Sequence, residues 1–360
     1  MFYGFGPLKN GFNVQYRFVQ FAVLTSISAC VLLAGAAGGA EIAVRAENFT
    51  VPPSSGPLAH ILVRNSGDTT SAVTVEPKFP DGWRWTPKQR TVSIEAGQTQ
   101  RLAFAIEKAA DVESNRYPIE IAILVGSNEI VHRQTLVCAS APYFKPKIDG
   151  KFKDWDDAIP ATFTTKDKKT TVSTYWNKKQ FCLYVQVEED ELNSYKKCAA
   201  QIDAVQFAVG TSKATTPTSP NSKAQRYEFL LVDSGKRDKC FALIKPDDEL
   251  SVTQHQRPLD PLEFKEAQLI VKRKGRITSY ECAIPFAAMP LIRPDVGRQI
   301  AFSILVHDGD GTGVRDWGKA AGLWPEQRNR FAWCRWGSAD WPGETLYDSK
   351  LEWGLCSSKH

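Results

Sequence analysis

Six tryptophans, Trp317, Trp324, Trp333, Trp336, Trp341 and Trp353, crowd into the last part of the chain, and their chemistry is the first thing to account for. An indole plane offers an apolar surface on which the C–H face of a sugar ring can stack, provided that polar side chains stand ready for the hydroxyls. Tryptophan also packs cores and edges, so each ring carries a packing reading beside the binding one. Just upstream, Asp308-Gly309-Asp310-Gly311-Thr312-Gly313, with Asp316 beyond, sets oxygen donors alternately around a glycine turn. A calcium loop presents its ligands in that order. The twelfth position is Lys319, where a helix-loop-helix site needs a bidentate glutamate. A looser structural calcium at Asp308 and Asp310 is therefore the cation reading, and ordinary turn chemistry is the other.

Catalytic patterns are missing from the sequence. No G-x-S-x-G elbow and no H-E-x-x-H helix occurs, and the five histidines, His60, His132, His255, His307 and His360, have no metal-ligand spacing. A glycosidase would need two carboxylates facing each other across a cleft, and no sequence pattern marks such a pair. The chain reads as a non-enzyme. One metal-centred alternative is a haem-binding electron-transfer sandwich with Met289 and His307 as axial ligands.

The elements that must carry these residues are strands. At 360 residues the chain has room for two cores. Hydrophobic residues at 42% and charged residues at 24% fit folded domains and not a multi-span membrane protein. The net charge of +5 arises from 45 basic and 40 acidic residues interleaved along the chain, with no basic block to track a phosphate backbone, so nucleic acid is not an expected partner.

Residues 1–40 have the layout of an export signal. Lys9 and Arg17 precede an apolar run from Phe18 to Ala37, followed by Gly38-Gly39-Ala40. Cleavage is expected near Ala40, with an uncleaved membrane anchor as the alternative. Export permits disulfides, but the seven cysteines after this segment show no framework and no CxxC pair. Buried free thiols are the expectation.

From 41 to 141 short alternating runs, such as Leu58 to Arg64 and Arg101 to Ile106, are broken by Asn65-Ser66-Gly67-Asp68 and Pro80-Asp81-Gly82, the rhythm of an antiparallel β-sandwich. Trp83 and Trp85 are read as packing at a turn. Residues 142–147 form a Pro/Lys linker. From 148 to 360 longer strands recur, among them Phe181 to Val187, Ala204 to Gly210 and Gln299 to His307, and predict a second sandwich. The expected fold class is all-β, with two antiparallel sandwich domains.

Two resemblances sharpen this. Phe79-Pro80-Asp81-Gly82-Trp83, Pro87, Glu95-Ala96-Gly97-Gln98 and Tyr117 resemble the bacterial Ig-like domains found beside secreted glycosidases. In the second domain the ordered landmarks are Ile148-Asp149-Gly150 with Asp154-Trp155, then Phe181 to Val187, then Asp203-Ala204-Val205-Gln206-Phe207. Tyr280-Glu281-Cys282-Ala283-Ile284-Pro285, Val306-His307-Asp308-Gly309-Asp310 and Leu351 to Leu355 follow. This order resembles the family 9 carbohydrate-binding modules, β-sandwiches that hold a sugar between two tryptophans.

Carried over position by position, the resemblance places one clamp on Trp341, with Trp324 as the second choice, and the polar contacts on Gln206, Arg226 and Glu228. The other clamp falls on Ala200, a departure that Tyr195 from the same loop would have to repair. The resemblance implies an exported glycan-binding protein that supports polysaccharide breakdown, with a secreted glycoside hydrolase as partner and the membrane touched only through the N-terminal segment. The competing expectation is a structural or protein-contacting sandwich at the cell surface whose sugar site has been lost.

Overall fold

The computed structural model describes residues 42–195, 202–211, 226–248, 258–317 and 351–355. Among them there is no α-helix, and the strands build sheets that are antiparallel apart from one short parallel edge pair. No helix of the described residues is long and apolar enough to cross a membrane; the expected export segment lies outside them.

The first eight strands are β1 (Ile42–Ala46), β2 (Leu58–Asn65), β3 (Ser71–Lys78), β4 (Arg84–Thr86), β5 (Arg90–Ile94), β6 (Thr99–Lys108), β7 (Tyr117–Val125) and β8 (Asn128–Leu136). They form two four-stranded sheets, β1-β2-β6-β4 and β5-β3-β7-β8. Because strand side chains alternate between faces, β2 turns Ala59, Ile61 and Val63 inward, where they join Val73, Val75, Phe104 and Ile121 in one core. Trp83 stacks on Phe79 at 5.8 Å between ring centres. Trp85 meets the same ring edge-on at 5.2 Å and carries the Lys88 ammonium 3.5 Å above its own ring. Both indoles pack the turn, as the sequence suggested.

The remaining strands are β9 (Ser140–Ala141), β10 (Ala161–Thr165), β11 (Lys168–Trp176), β12 (Gln180–Glu188), β13 (Ala204–Thr211), β14 (Arg226–Val232), β15 (Lys239–Ile244), β16 (Gln268–Lys274), β17 (Ile277–Pro285), β18 (Gln299–Asp308), β19 (Gly313–Trp317) and β20 (Leu351–Leu355). One sheet runs β10-β11-β12-β17-β16; the other runs β15-β14-β13-β18-β20-β9, with β19 also on β18. Between them lie Val172, Phe181, Val185, Phe207, Phe229, Phe302, Ile304 and Met289. Burying one face of each sheet against the other is what makes a sandwich.

The segment read as a linker is hydrogen-bonded to this second body. The Phe144 amide donates to the Trp176 carbonyl at 2.9 Å, and the Trp176 amide donates to the Pro142 carbonyl at 3.1 Å. Ile159, although it leads into β10, packs in the core of the first sandwich. Buried Asn115, in the β6–β7 loop, donates through Nδ2 to the carbonyls of Cys138 at 3.0 Å and Pro160 at 2.9 Å.

The Ile-Asp-Gly and Asp-Trp landmarks share one anchor, Glu281 on β17. Its two oxygens accept from the Gly150 amide and from Trp155 Nε1, each at 2.8 Å. Gly150 sits at φ +69°, in the left-handed region that favours glycine, and a Cβ there would also push the end of the Lys272 side chain aside. The Trp155 ring then lies stacked on Tyr175 and Tyr184 at 5.0 and 5.3 Å.

Candidate functional site

Alternation on the second sheet decides which side chains leave the core. On β13, Val205, Phe207 and Val209 face the partner sheet, so Ala204, Gln206 and Ala208 face the other way. On β14 the same parity turns Tyr227, Phe229 and Leu231 inward and sets Arg226, Glu228 and Leu230 outside. On β18, Phe302, Ile304 and Val306 are in the core, leaving Ser303, Leu305 and His307 on the outer face. The three strands are neighbours, with Gln206 paired to Leu230 and Leu305, Ala208 to Glu228, and Ala204 to His307.

Four polar side chains meet there. Gln206 Nε2 donates to Glu228 Oε1 in a short contact. Arg226 Nε donates to Glu228 Oε2 at 3.1 Å. His307 Nε2 lies 2.8 Å from Gln206 Oε1. An ionised carboxylate only accepts, so Gln206 must turn its amide nitrogen to Glu228 and its oxygen to His307; His307 is then the Nε2–H tautomer. All four are buried, with Arg226 and Glu228 each 3% exposed. Such a chain survives burial because every member has a partner. Small side chains, Ala208 and Ser303, flank the group on its own face. Where β14 pairs with β15 the register shifts between Glu228 and Phe229, with Leu243 the extra residue on β15.

The structure therefore brings together Gln206, Arg226 and Glu228, which the sequence singled out, and adds His307, which it had considered only as a haem ligand. Parity in β18 was the signal that could have found it. Met289 packs in the sandwich core while His307 lies on the opposite face, so the two do not address a common haem axis. Tyr195 reaches the same outer face, but as a buried ring set edge-on to Phe241 at 5.3 Å, its hydroxyl donating to Asp260 Oδ1 at 3.1 Å. Trp341, Trp324 and Ala200 lie outside the described residues.

The calcium expectation falls on a cluster of three carboxylates. Pairing of Ala204 with His307 sets Asp203 beside Asp308, and ligand oxygens of Asp203, Asp308 and Asp310 lie within 4.8 Å of one another. Asp203 was not foreseen, because strand register brought it in. Asp308 Oδ2 is already committed, accepting from Thr312 N at 3.0 Å, Thr312 Oγ1 at 2.7 Å and buried Arg315 Nη2 at 2.6 Å. Burial alone would raise Asp308, but these donors hold its carboxyl below the ordinary range. Burial, helped by the charges of Asp310 and Asp308, pushes Asp203 up to about 6. Nearby Glu189, 1% exposed, is raised by burial to about 8 although Arg273 Nη1 stands 3.2 Å away.

No protein-family model matches the chain, and no curated protein matches it. Among solved structures, a family 9 carbohydrate-binding module from Caldicellulosiruptor kristjanssonii in complex with cellotriose is 14% identical, with 61% of this chain and 93% of that chain covered at a TM-score of 0.38. A module of that family and organism in complex with glucose is 15% identical, covering 48% of this chain and 78% of that one at 0.34. The E. coli chaperone DraB is 11% identical over 59% of this chain and 97% of its own, at 0.21. Nothing about the site follows from likenesses at this level.

Proposed function

We propose that this chain is a non-catalytic carbohydrate-binding protein, exported through its N-terminal segment and working beside a secreted glycoside hydrolase in polysaccharide breakdown. One observation carries the reading. Arg226, Glu228, Gln206 and His307 form a linked polar group on the outer face of three adjacent strands, at positions where the sequence resembles the sugar-facing part of the family 9 modules. Carboxylate, guanidinium and carboxamide groups are the partners that sugar hydroxyls need. The test is a glycan array on the full chain, followed by calorimetry. Selective binding that is lost in Glu228→Gln and in Trp341→Ala supports the reading; a folded protein silent to plant, algal and bacterial glycans contradicts it.

A second reading has its own observation. The four polar groups satisfy one another and are buried, and the first clamp position in the sequence is Ala200. A sandwich that has kept the framework and lost the ligand would act in protein contacts. Array silence together with a captured surface partner selects it.

We further propose a structural calcium at Asp203, Asp308 and Asp310. Three hard oxygen donors suit that ion, and its charge would offset the burial, and the lesser repulsion from Asp310 and Asp308, that raise Asp203.

A further inference from the structure

The outer face of the five-stranded sheet is divided in two. Over one half, Phe144, Ile148, Phe152, Trp155 and Ala158 pack on Tyr175, Cys182 and Tyr184, so that half is closed by the chain itself. The other half is a cross-strand row of hydroxyl and carboxamide side chains. Thr162 pairs with Thr171, Thr171 with Gln186, and Gln186 with Ser279. Thr162, Thr171 and Gln186 of this row floor a groove of about 930 Å³, which is also lined by Asp111 and Asn115 of the β6–β7 loop of the first sandwich. The bond from Asn115 to Pro160 ties one wall to the other.

We propose that this groove is a second ligand site, separate from the Gln206–Glu228 group, and that it takes an uncharged oligosaccharide. The floor presents groups that both donate and accept, which match hydroxyls better than they match an ion or an apolar chain. Thr162 and Thr171 hold their hydroxyl oxygens 3.2 Å apart, a pair a sugar hydroxyl can bridge. The walls carry Lys151, Lys153 and Lys169 against Asp111, Glu113, Asp156 and Asp157, a near balance that favours neither an anionic nor a cationic ligand. Half-buried Phe152, stacked on Tyr184 at 5.1 Å, supplies an aromatic surface at the rim. The volume lies at the upper end of the roughly 300–1,000 Å³ usual for ligand pockets, enough for more than a monosaccharide.

The experiment titrates the full chain with cellotriose in the calorimeter and follows amide exchange in parallel. Two molecules per chain are expected, falling to one in Thr171→Trp or Gln186→Trp, with saturating cellotriose slowing exchange in β10 and β11. Thr171→Trp and Gln186→Trp proteins that melt like wild type and titrate like wild type, with exchange in β10 and β11 unchanged, overturn the proposal. The two sites fail separately: if Gln206→Leu alone removes all binding, the groove is wrong and the first site stands. If Thr171→Trp alone removes it, the groove stands and the first site is wrong. Should the tryptophan variants not fold, exchange in wild type decides the matter. No binding of cellotriose by the folded chain overturns both.

Discussion

At the scale of single residues, burial governs the chemistry. Cys182, Cys240 and Cys282 are buried free thiols, and burial pushes the Cys182 thiol up to about 12 and the other two up as well. A thiol in that state supplies no thiolate for attack. Alkylation mapped by mass spectrometry should leave these three unlabelled in the native protein and label them only after unfolding. Glu189 and Asp203 make a pH prediction. Glu189 keeps its proton up to about 8 when folded, against 4.5 when unfolded, and Asp203 up to about 6 against 3.8. Between those values the folded state holds protons that the unfolded state has released. Stability is therefore full below the unfolded values and is lost as pH rises through the folded ones. The melting temperature should fall between about pH 4 and about pH 8, a loss on the order of a few kcal/mol that Glu189→Gln reduces. Calcium should restore part of the loss at the alkaline end, and Asp310→Asn should abolish that rescue; a melting point indifferent to calcium would remove the cation site.

At the scale of elements, the landmarks that looked functional in the sequence divide into anchors and site. The Asp-Trp opening and the Glu-x-x-Ile-Pro strand meet at Glu281, a buried carboxylate that takes both Gly150 and Trp155. Trp155→Phe keeps the ring but strands one oxygen of Glu281, a loss of about 1–3 kcal/mol that chemical denaturation would measure. Period-two alternation made strands such as β2, β6, β12, β13 and β18 legible, because one buried face is all a sandwich strand has to encode, whereas β1, β8, β10, β15 and β19 were not named from it. Strand pairing was not legible. Gln206, Arg226 and Glu228 were named through the resemblance to the family 9 modules, whereas His307 and Asp203 joined their groups through the pairing of β13 with β18, strands about a hundred positions apart in sequence. The tryptophan-rich stretch, where the sequence placed Trp341 and Trp324, lies beyond what the structure describes.

At the scale of the whole molecule, the two sandwiches share material. Ile159 belongs by sequence to the second and by packing to the first, and Asn115 spans the boundary. Asn115→Ala removes hydrogen bonds at both Cys138 and Pro160, at a cost of about 3 kcal/mol. Calorimetric melting should show one transition in wild type that moves down or splits in this variant; two independent transitions in wild type would mean that the sandwiches are uncoupled. Coupling matters for function because the groove on the five-stranded sheet has a wall from each. The central claim remains the polar group on the outer face of β13, β14 and β18. Its most direct test is calorimetry of the full chain with cellotriose and glucose, comparing wild type with Gln206→Ala. Binding that weakens at least about tenfold in the variant, or about 1.4 kcal/mol, is the predicted result, whereas undiminished affinity in a folded Gln206→Ala protein would contradict it.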